Sequence, residues 1–442
     1  MRTVIILFIF LVTLSIYSIS NAQSDILNSG PMVGYSHMRE VALWVQTKTE
    51  ANVKISYWSK NDTNSRFYTN EVITKKESGY TALLIADEVE PSNEYEYELF
   101  INNVLVERDY PLKFKTQHLW QWREDPPYIK FVTGSCAYIN QTEYDRPGQP
   151  YGGNYEIFEN IYKMEPEFML WLGDNIYLRE VDWNSWNGII QRYTHGRSIE
   201  EFQPLFGSVH HYAIWDDHDF GTNNSDRGFW NKFRTLEAFK LFWANPSYGI
   251  NGKPGITSYF EWGDLAFFLL DNRYYRSPNY REFTKREILG EEQIEWLIDG
   301  LVTSYAPFKF ICIGGQFLNP NPGGENHMTY PDETNYILEL IKKEEIRGVM
   351  FLTGDVHRTE LTKIERENTY PLYDFTISPF TASASGRAYP NDGRVEGTSV
   401  LERNFGIFEV TGPRKDRTLK CTVYDSQGKI LWDYSINENE LR

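Results

Sequence analysis

Between residues 30 and 116 apolar and polar positions alternate: Val41, Leu43 and Val45 share one face, Val53, Ile55 and Tyr57 repeat the pattern, and Tyr95, Tyr97 and Leu99 repeat it among glutamates. A period of two marks strands with one face on a core. Lys60-Asn61-Asp62 and Pro91-Ser92-Asn93 supply turn residues between them. The pattern predicts a small all-β sandwich of immunoglobulin or fibronectin type III style over residues 25–118. Residues 117–127, with Trp120, Trp122 and Pro126-Pro127, read as a linker. Beyond it the alternation gives way to continuous apolar runs at 131–133, 168–172, 212–215, 265–270, 308–313 and 349–352. Segments with helical spacing at 155–163, 229–244, 291–301 and 334–343 fall between them. Buried strands alternating with helices predict an α/β layered domain over residues 128–436, with a terminal hairpin around Ser426-Gln427-Gly428 adding edge strands. At the other end, Met1-Arg2-Thr3 precedes an apolar run over 4–14 and the small residues Ser20 and Ala22. This predicts a secretory signal peptide cleaved after Ala22, hence a secreted or periplasmic protein without a stable membrane anchor.

The residues at the carboxyl end of each apolar run carry the chemistry. The runs end in Gly134-Ser135-Cys136, Gly173-Asp174-Asn175-Ile176-Tyr177, Asp216-Asp217-His218-Asp219, Asp271-Asn272-Arg273, Gly314-Gly315-Gln316 and Gly354-Asp355-Val356-His357. Ligands of α/β sheets bind beyond the carboxyl ends of the strands, so these endings are expected to converge. Aspartates gathered there without cations would repel one another, at about 1.4 kcal/mol for each unit by which a pKa is forced up. Metal ions remove the conflict. Cys136, Tyr177 and His357 are softer donors suited to a transition metal, whereas Asp174, Asn223 and Asp355 offer hard oxygens suited to calcium. A mixed multinuclear site is the natural expectation. Tyr177 also fits ordinary packing, and Arg273 and Arg276 fit either a phosphate clamp or a buried ion pair with Asp271. Residues 180–207, with Trp183, Trp186, Arg192 and Arg197, are long enough to form one wall of such a site.

Charge and cysteine content narrow the classes. Of 442 residues, 44 are Lys or Arg and 61 Asp or Glu, a formal charge of −17, so no nucleic-acid-binding surface is expected. Three cysteines cannot all pair internally. Cys312 and Cys421 sit in apolar or alternating runs and read as core residues, although export would permit a bridge between them. Cys136 is the thiol that a metal explains.

Taken together, these motifs resemble the PhoD-like alkaline phosphatase and phosphodiesterase family of metallophosphoesterases. The resemblance spans residues 30–434 and implies a metallophosphoesterase-type layered α/β sandwich behind an N-terminal β-sandwich. It implies a ferric ion held by Cys136, Asp174, Tyr177 and His357, with Asp174 bridging to calcium that Asn223 and Asp355 also bind. Asn224 competes with Asn223 for that role. By analogy with the Gly-Asn-His segment of the wider metallophosphoesterases, His218 assists the leaving group and Asp217 takes the adjacent position. The expected activity is hydrolysis of a small phosphate ester or phosphodiester by a metal-bound hydroxide or oxide. The competing reading is a non-catalytic exported surface protein on a degenerate phosphatase scaffold. Preference for monoester or diester and oligomeric state are not encoded in these motifs.

Overall fold

A computed structural model describes residues 26–442. The signal peptide expected through Ala22 lies outside the described residues. Among the described residues no helix is long and apolar enough to cross a membrane. The chain forms two compact units, the first running to Leu119 with Arg197–His210 added, the second comprising Trp120–Gly196 and His211–Arg442.

The first unit is built on antiparallel strands. Leu27–Ser36, Val41–Thr47 and Thr81–Ala86 pair in that order. In a second sheet Asp62–Tyr68, Asn52–Ser59, Glu94–Ile101 and Val104–Val106 are neighbours, with Lys113–Lys115 also on Glu94–Ile101. Val53, Ile55, Tyr57, Tyr95, Tyr97 and Leu99 point into one core with Val41, Leu43 and Val45, as the alternation requires. Each such aliphatic side chain contributes roughly 1.5–3 kcal/mol on full burial. One strand departs from the expectation: all seven positions of Val41–Thr47 are buried, not every second one. The cause is Arg197–His210, which the sequence pattern assigns to the α/β part. The Arg197 guanidinium lies 5.1 Å from the Trp44 ring and 5.4 Å from the Phe206 ring.

The second unit holds two mixed sheets. One runs Ile430–Asn437, Thr418–Asp425, Asn404–Thr411, Ile129–Gly134, Phe168–Leu172 and His210–Ile214; the other Ser258–Trp262, Leu265–Leu269, Phe308–Ile313, Val349–Thr353, Leu372–Thr376 and Glu360–Ile364. The strands Leu265–Leu269, Phe308–Ile313 and Val349–Thr353 are parallel and buried at every position, which is why they read as unbroken apolar runs. Phenylalanines fill the space between the sheets: Phe131 stacks on Phe168 and Phe408 at 4.8 and 4.9 Å and meets Phe267 and Phe310 edge-on at 5.4 and 5.7 Å. Such pairs add about 0.5–1.5 kcal/mol each beyond their area. The helix Glu291–Thr303 buries Ile294, Leu297, Ile298 and Leu301, a stripe at helical spacing. The terminal hairpin takes the sheet edge, as its pattern predicts, and all three cysteines are buried and free.

Candidate metal centre

The strands Ile129–Gly134, Phe168–Leu172, His210–Ile214 and Val349–Thr353 all discharge their carboxyl ends into one region of the second unit. Two tight approaches make the convergence possible. Gly173 has φ +94°, and a Cβ on it would lie 2.7 Å from the Asp216 Cβ; a Cβ on Gly354 would lie 2.6 Å from Ser135. Only glycine lets these strand ends close on one another. The ligand candidates themselves then turn sharply: Cys136, Asp174, Asp355 and His357 have φ of 62, 52, 70 and 53°, a region non-glycine residues seldom occupy. Holding four side chains in this way costs of order 1–3 kcal/mol each, which the surrounding packing must offset.

Donor atoms gather in three overlapping groups, Cys136 with Asp174 and His357, Asp174 with Asp217 and His218, and Asp216 with Asp217 and Asp355, each with mutual separations within 4.8 Å. The Cys136 Sγ is 3.6 Å from Asp174 Oδ2 and receives the Ser378 hydroxyl at 3.2 Å. Burial pushes its thiol up to about 12, so it ionises only with a cation beside it. Asp174 and Asp355 are likewise held well above the usual carboxylate range, by burial first and neighbouring carboxylates second. His357 is oriented by a carbonyl: its Nδ1 donates to Ser383 O at 2.7 Å, leaving the Nε2 lone pair beside the Tyr177 hydroxyl at 3.1 Å. A backbone acceptor fixing the tautomer of a ligand histidine is a recurrent supporting device. The Tyr177 ring lies 4.2 Å from that of His218, whose Nε2 is 3.9 Å from Asp217 Oδ2.

The donors fit cations. Asp216 Oδ2 and Asp217 Oδ1 are buried oxygens with no hydrogen-bond donor. Thiol, phenol and imidazole meet on one side and carboxylates on the other, a soft set beside a hard one. Asn223 and Asn224 are exposed on the turn beyond Asp217–Phe220. The Asn223 amide donates to Asn224 Oδ1 at 2.8 Å, and the Asn224 backbone N–H donates to Asp217 Oδ2 at 2.6 Å.

Three features differ from expectation. Arg273 does not pair with Asp271. Its guanidinium bridges Asp216 and Glu325, the latter at 2.8 Å, and lies 3.7 Å from Asp217. Asp271 instead shapes the turn, accepting the Trp215 indole N–H at 2.8 Å and the N–H groups of Arg273 and Tyr274 at 3.0 and 2.9 Å. Arg276 accompanies Arg273 towards Glu325, at 3.6 Å. Second, two arginines of the stretch 180–207 are engaged elsewhere: Arg192 pairs with Asp182 at 2.7 Å, while Arg197 belongs to the first unit. Third, sequence reasoning missed Glu325, Tyr151 and Ser383. Tyr151 Oη reaches His357 Nδ1 at 3.1 Å from an irregular loop. None of the three ends an apolar run, so no periodicity singles them out.

Residues 131–405 match the family model described as PhoD-like phosphatase, and residues 24–119 match a domain of unknown function, DUF7800. Alkaline phosphatase D of Bacillus subtilis (strain 168) is 22% identical over 405 residues, covering 79% of this chain and 65% of the relative. The chain thus spans just under two thirds of that relative's length. A solved structure of PhoD superposes with a TM-score of 0.74 at 18% identity, over 93% of this chain and 90% of that one. The purple acid phosphatase PPD1 from yellow lupin (Lupinus luteus) seeds gives 0.65 at 12% identity, over 92% and 74%. At these identities both likenesses establish the fold, a metallophosphoesterase-type arrangement.

Proposed function

Since the chain belongs to the PhoD-like phosphatase family, we propose that it is an exported, metal-dependent hydrolase of small phosphate monoesters or diesters. The observation that carries this reading is the meeting of a thiol, two imidazoles and four carboxylates at the ends of separate strands, with buried carboxylate oxygens that accept no hydrogen bond. Cys136, Asp174, Tyr177 and His357 are assigned to a ferric ion, and Asp174, Asn223 and Asp355 to calcium. These cations would supply Lewis acidity on the phosphoryl oxygens and a water nucleophile available near neutral pH. The chain's own groups do the rest. His218 delivers a proton to the departing alkoxide. Asp217, 3.9 Å from its Nε2, stabilises the imidazolium that does so, and the Tyr177 ring at 4.2 Å limits how far the imidazole can swing. Asn223 is placed on the turn that Asp217 anchors through the Asn224 N–H.

The test is Asp174→Asn, which keeps shape and removes charge. Turnover of bis(p-nitrophenyl) phosphate and p-nitrophenyl phosphate should fall at least about 100-fold, and bound iron and calcium, measured by elemental analysis, should fall with it. Wild-type turnover in a variant depleted of metal would end the proposal.

A further inference from the structure

Two segments that follow the metal-ligand turns are basic in a chain that is acidic overall. Residues 226–234 and 277–287 together carry six lysines and arginines against three carboxylates, whereas the whole chain carries 44 against 61. The first segment comes after Asn223 and Asn224, the second after Asp271-Asn272-Arg273. Folding pins them together. The Arg227 N–H donates to Arg276 O at 2.9 Å, its guanidinium donates to Tyr275 O at 3.2 Å and to Glu287 at 2.9 Å, and the Phe233 ring lies 6.1 Å from that of Tyr274. The Ser277 N–H donates to Glu287 O at 2.7 Å, so residues 278–286 form a loop closed at its neck. Asn279, at one foot of the loop, donates to Glu325 at 3.2 Å, the carboxylate that also pairs with Arg273.

Four large aromatic side chains on these segments face water. Tyr280 and Phe283 are each 95% exposed, Phe233 66% and Trp230 62%, and among the described residues no other phenylalanine is exposed. Rings exposed to this degree touch little of the fold, so the loop tip is convex and its rings add almost nothing to packing. Exposed apolar groups gathered in this way mark a surface that meets something else. The cations beside them are free as well. Among the described residues only Arg227 and Lys285 of the six have a carboxylate partner, and both share Glu287, at 2.9 and 3.8 Å. Lys232, Arg234, Arg281 and Arg286 make no ion pair, and Glu282 is the single carboxylate between the two feet of the loop.

We propose that these two segments dock the protein on a bilayer surface that carries anionic phospholipid head groups. Aromatic rings settle at the boundary between head groups and acyl chains, and lysines and arginines beside them add attraction to a negative surface. The charge balance of the chain gives the docking a direction: the remaining residues are more acidic than the chain as a whole, so an anionic surface attracts this face and repels the bulk. A protein partner takes aromatic anchors into formed pockets at the centre of a packed interface, whereas rings standing clear on a convex tip suit a soft surface that closes round them. A single strand of nucleic acid is held in a basic groove that tracks its backbone, and a projecting loop tip offers no groove. The docking uses no metal ligand and does not rest on the phosphoesterase reading.

The experiment is co-sedimentation of the chain from Gln23 onward, so that the apolar run at 4–14 cannot itself insert, with vesicles of phosphatidylcholine alone or mixed with about one third phosphatidylglycerol. The protein should pellet with the anionic vesicles and not with the neutral ones, and should come off as NaCl rises from about 0.05 M to about 0.5 M. Phe283→Ser, Trp230→Ser and Arg281→Glu should each weaken binding about tenfold. Thermal unfolding and hydrolysis of bis(p-nitrophenyl) phosphate in free solution should not change, because these side chains are largely exposed. Asp174→Asn should bind vesicles as the wild type does, which separates docking from capture of lipid phosphate by the metal-ligand cluster. No pelleting at lipid up to about 5 mM, equal binding to both kinds of vesicle, or binding that the three surface variants leave intact overturns the proposal. So does binding that Asp174→Asn abolishes, and so does a single-stranded oligothymidylate that the three variants release and anionic vesicles fail to displace.

Discussion

Arg273 is wholly buried between Asp216, Asp217 and Glu325 and holds together the acidic side of the cluster. Replacing it by alanine strands buried carboxylates without a counter-charge, so in metal-stripped protein Arg273→Ala should lower unfolding free energy by about 3–5 kcal/mol. Urea denaturation measures this, and a loss below about 1 kcal/mol would mean that the carboxylates are neutral in the fold. Why the partner of Arg273 escapes the sequence is a matter of distance along the chain. Asp271 is two residues away, and a neighbour in sequence is the natural first guess. Yet Asp271 is already saturated by the Trp215 indole and backbone N–H groups, and the guanidinium extends past it. Cys136, Asp174, Asp355 and His357 are legible because each closes an apolar run through a glycine, a local signal. Glu325 comes after Gly323-Gly324 in a loop with no such signal, and only folding brings it to Arg273.

At the level of elements, the first unit carries a titratable joint. His210 Nδ1 donates to Gly34 O at 2.8 Å and Nε2 accepts the Lys115 N–H at 3.0 Å, so the buried imidazole is bound in its neutral form. Burial holds its pKa down at about 4, against 6.5 when unfolded. Protonation would leave two donors facing each other at Lys115. The unfolded chain takes up the proton first, so this contribution is complete above pH 6.5 and is lost as pH falls towards 4, on the order of 3 kcal/mol in all. His210→Gln should therefore cost stability at pH 8 but much less at pH 5, as read from urea midpoints; a pH-independent difference would show that His210 titrates in the fold as it does in the unfolded chain. His327, held down to about 3 by burial, adds a slope of the same sign that the variant retains. The alternation of Val53, Ile55 and Tyr57 makes these strands readable, because half-burial imposes a period of two. Val41–Thr47 shows the same alternation yet is buried on both faces, since the cover on its second face depends on Arg197–His210, a segment distant in sequence.

For the molecule as a whole, the cluster at the strand ends is a store of repulsion that cations relieve. Exhaustive chelation should lower the thermal midpoint of the metal-loaded protein by roughly 3–8 °C, and calcium with ferric iron should restore it, because a ligand that binds only the folded state stabilises it by mass action. Calorimetry checks this; an unchanged midpoint after confirmed metal loss would show that the aspartates are protonated rather than paired with cations. The layered architecture itself is legible. Unbroken apolar runs bury both faces of a parallel strand, and helical stripes such as that of Glu291–Thr303 need a sheet to cover. By itself the sequence determined which residues end each strand, that their donors include both hard and soft types, and that the acidic balance concentrates where cations are needed. The tertiary structure alone decided which donors come within 4.8 Å of one another and which carboxylates Arg273 neutralises. Periodicity reports how one segment meets its surroundings, whereas a site is assembled from separations between segments, and those exist only once the strands have paired in register.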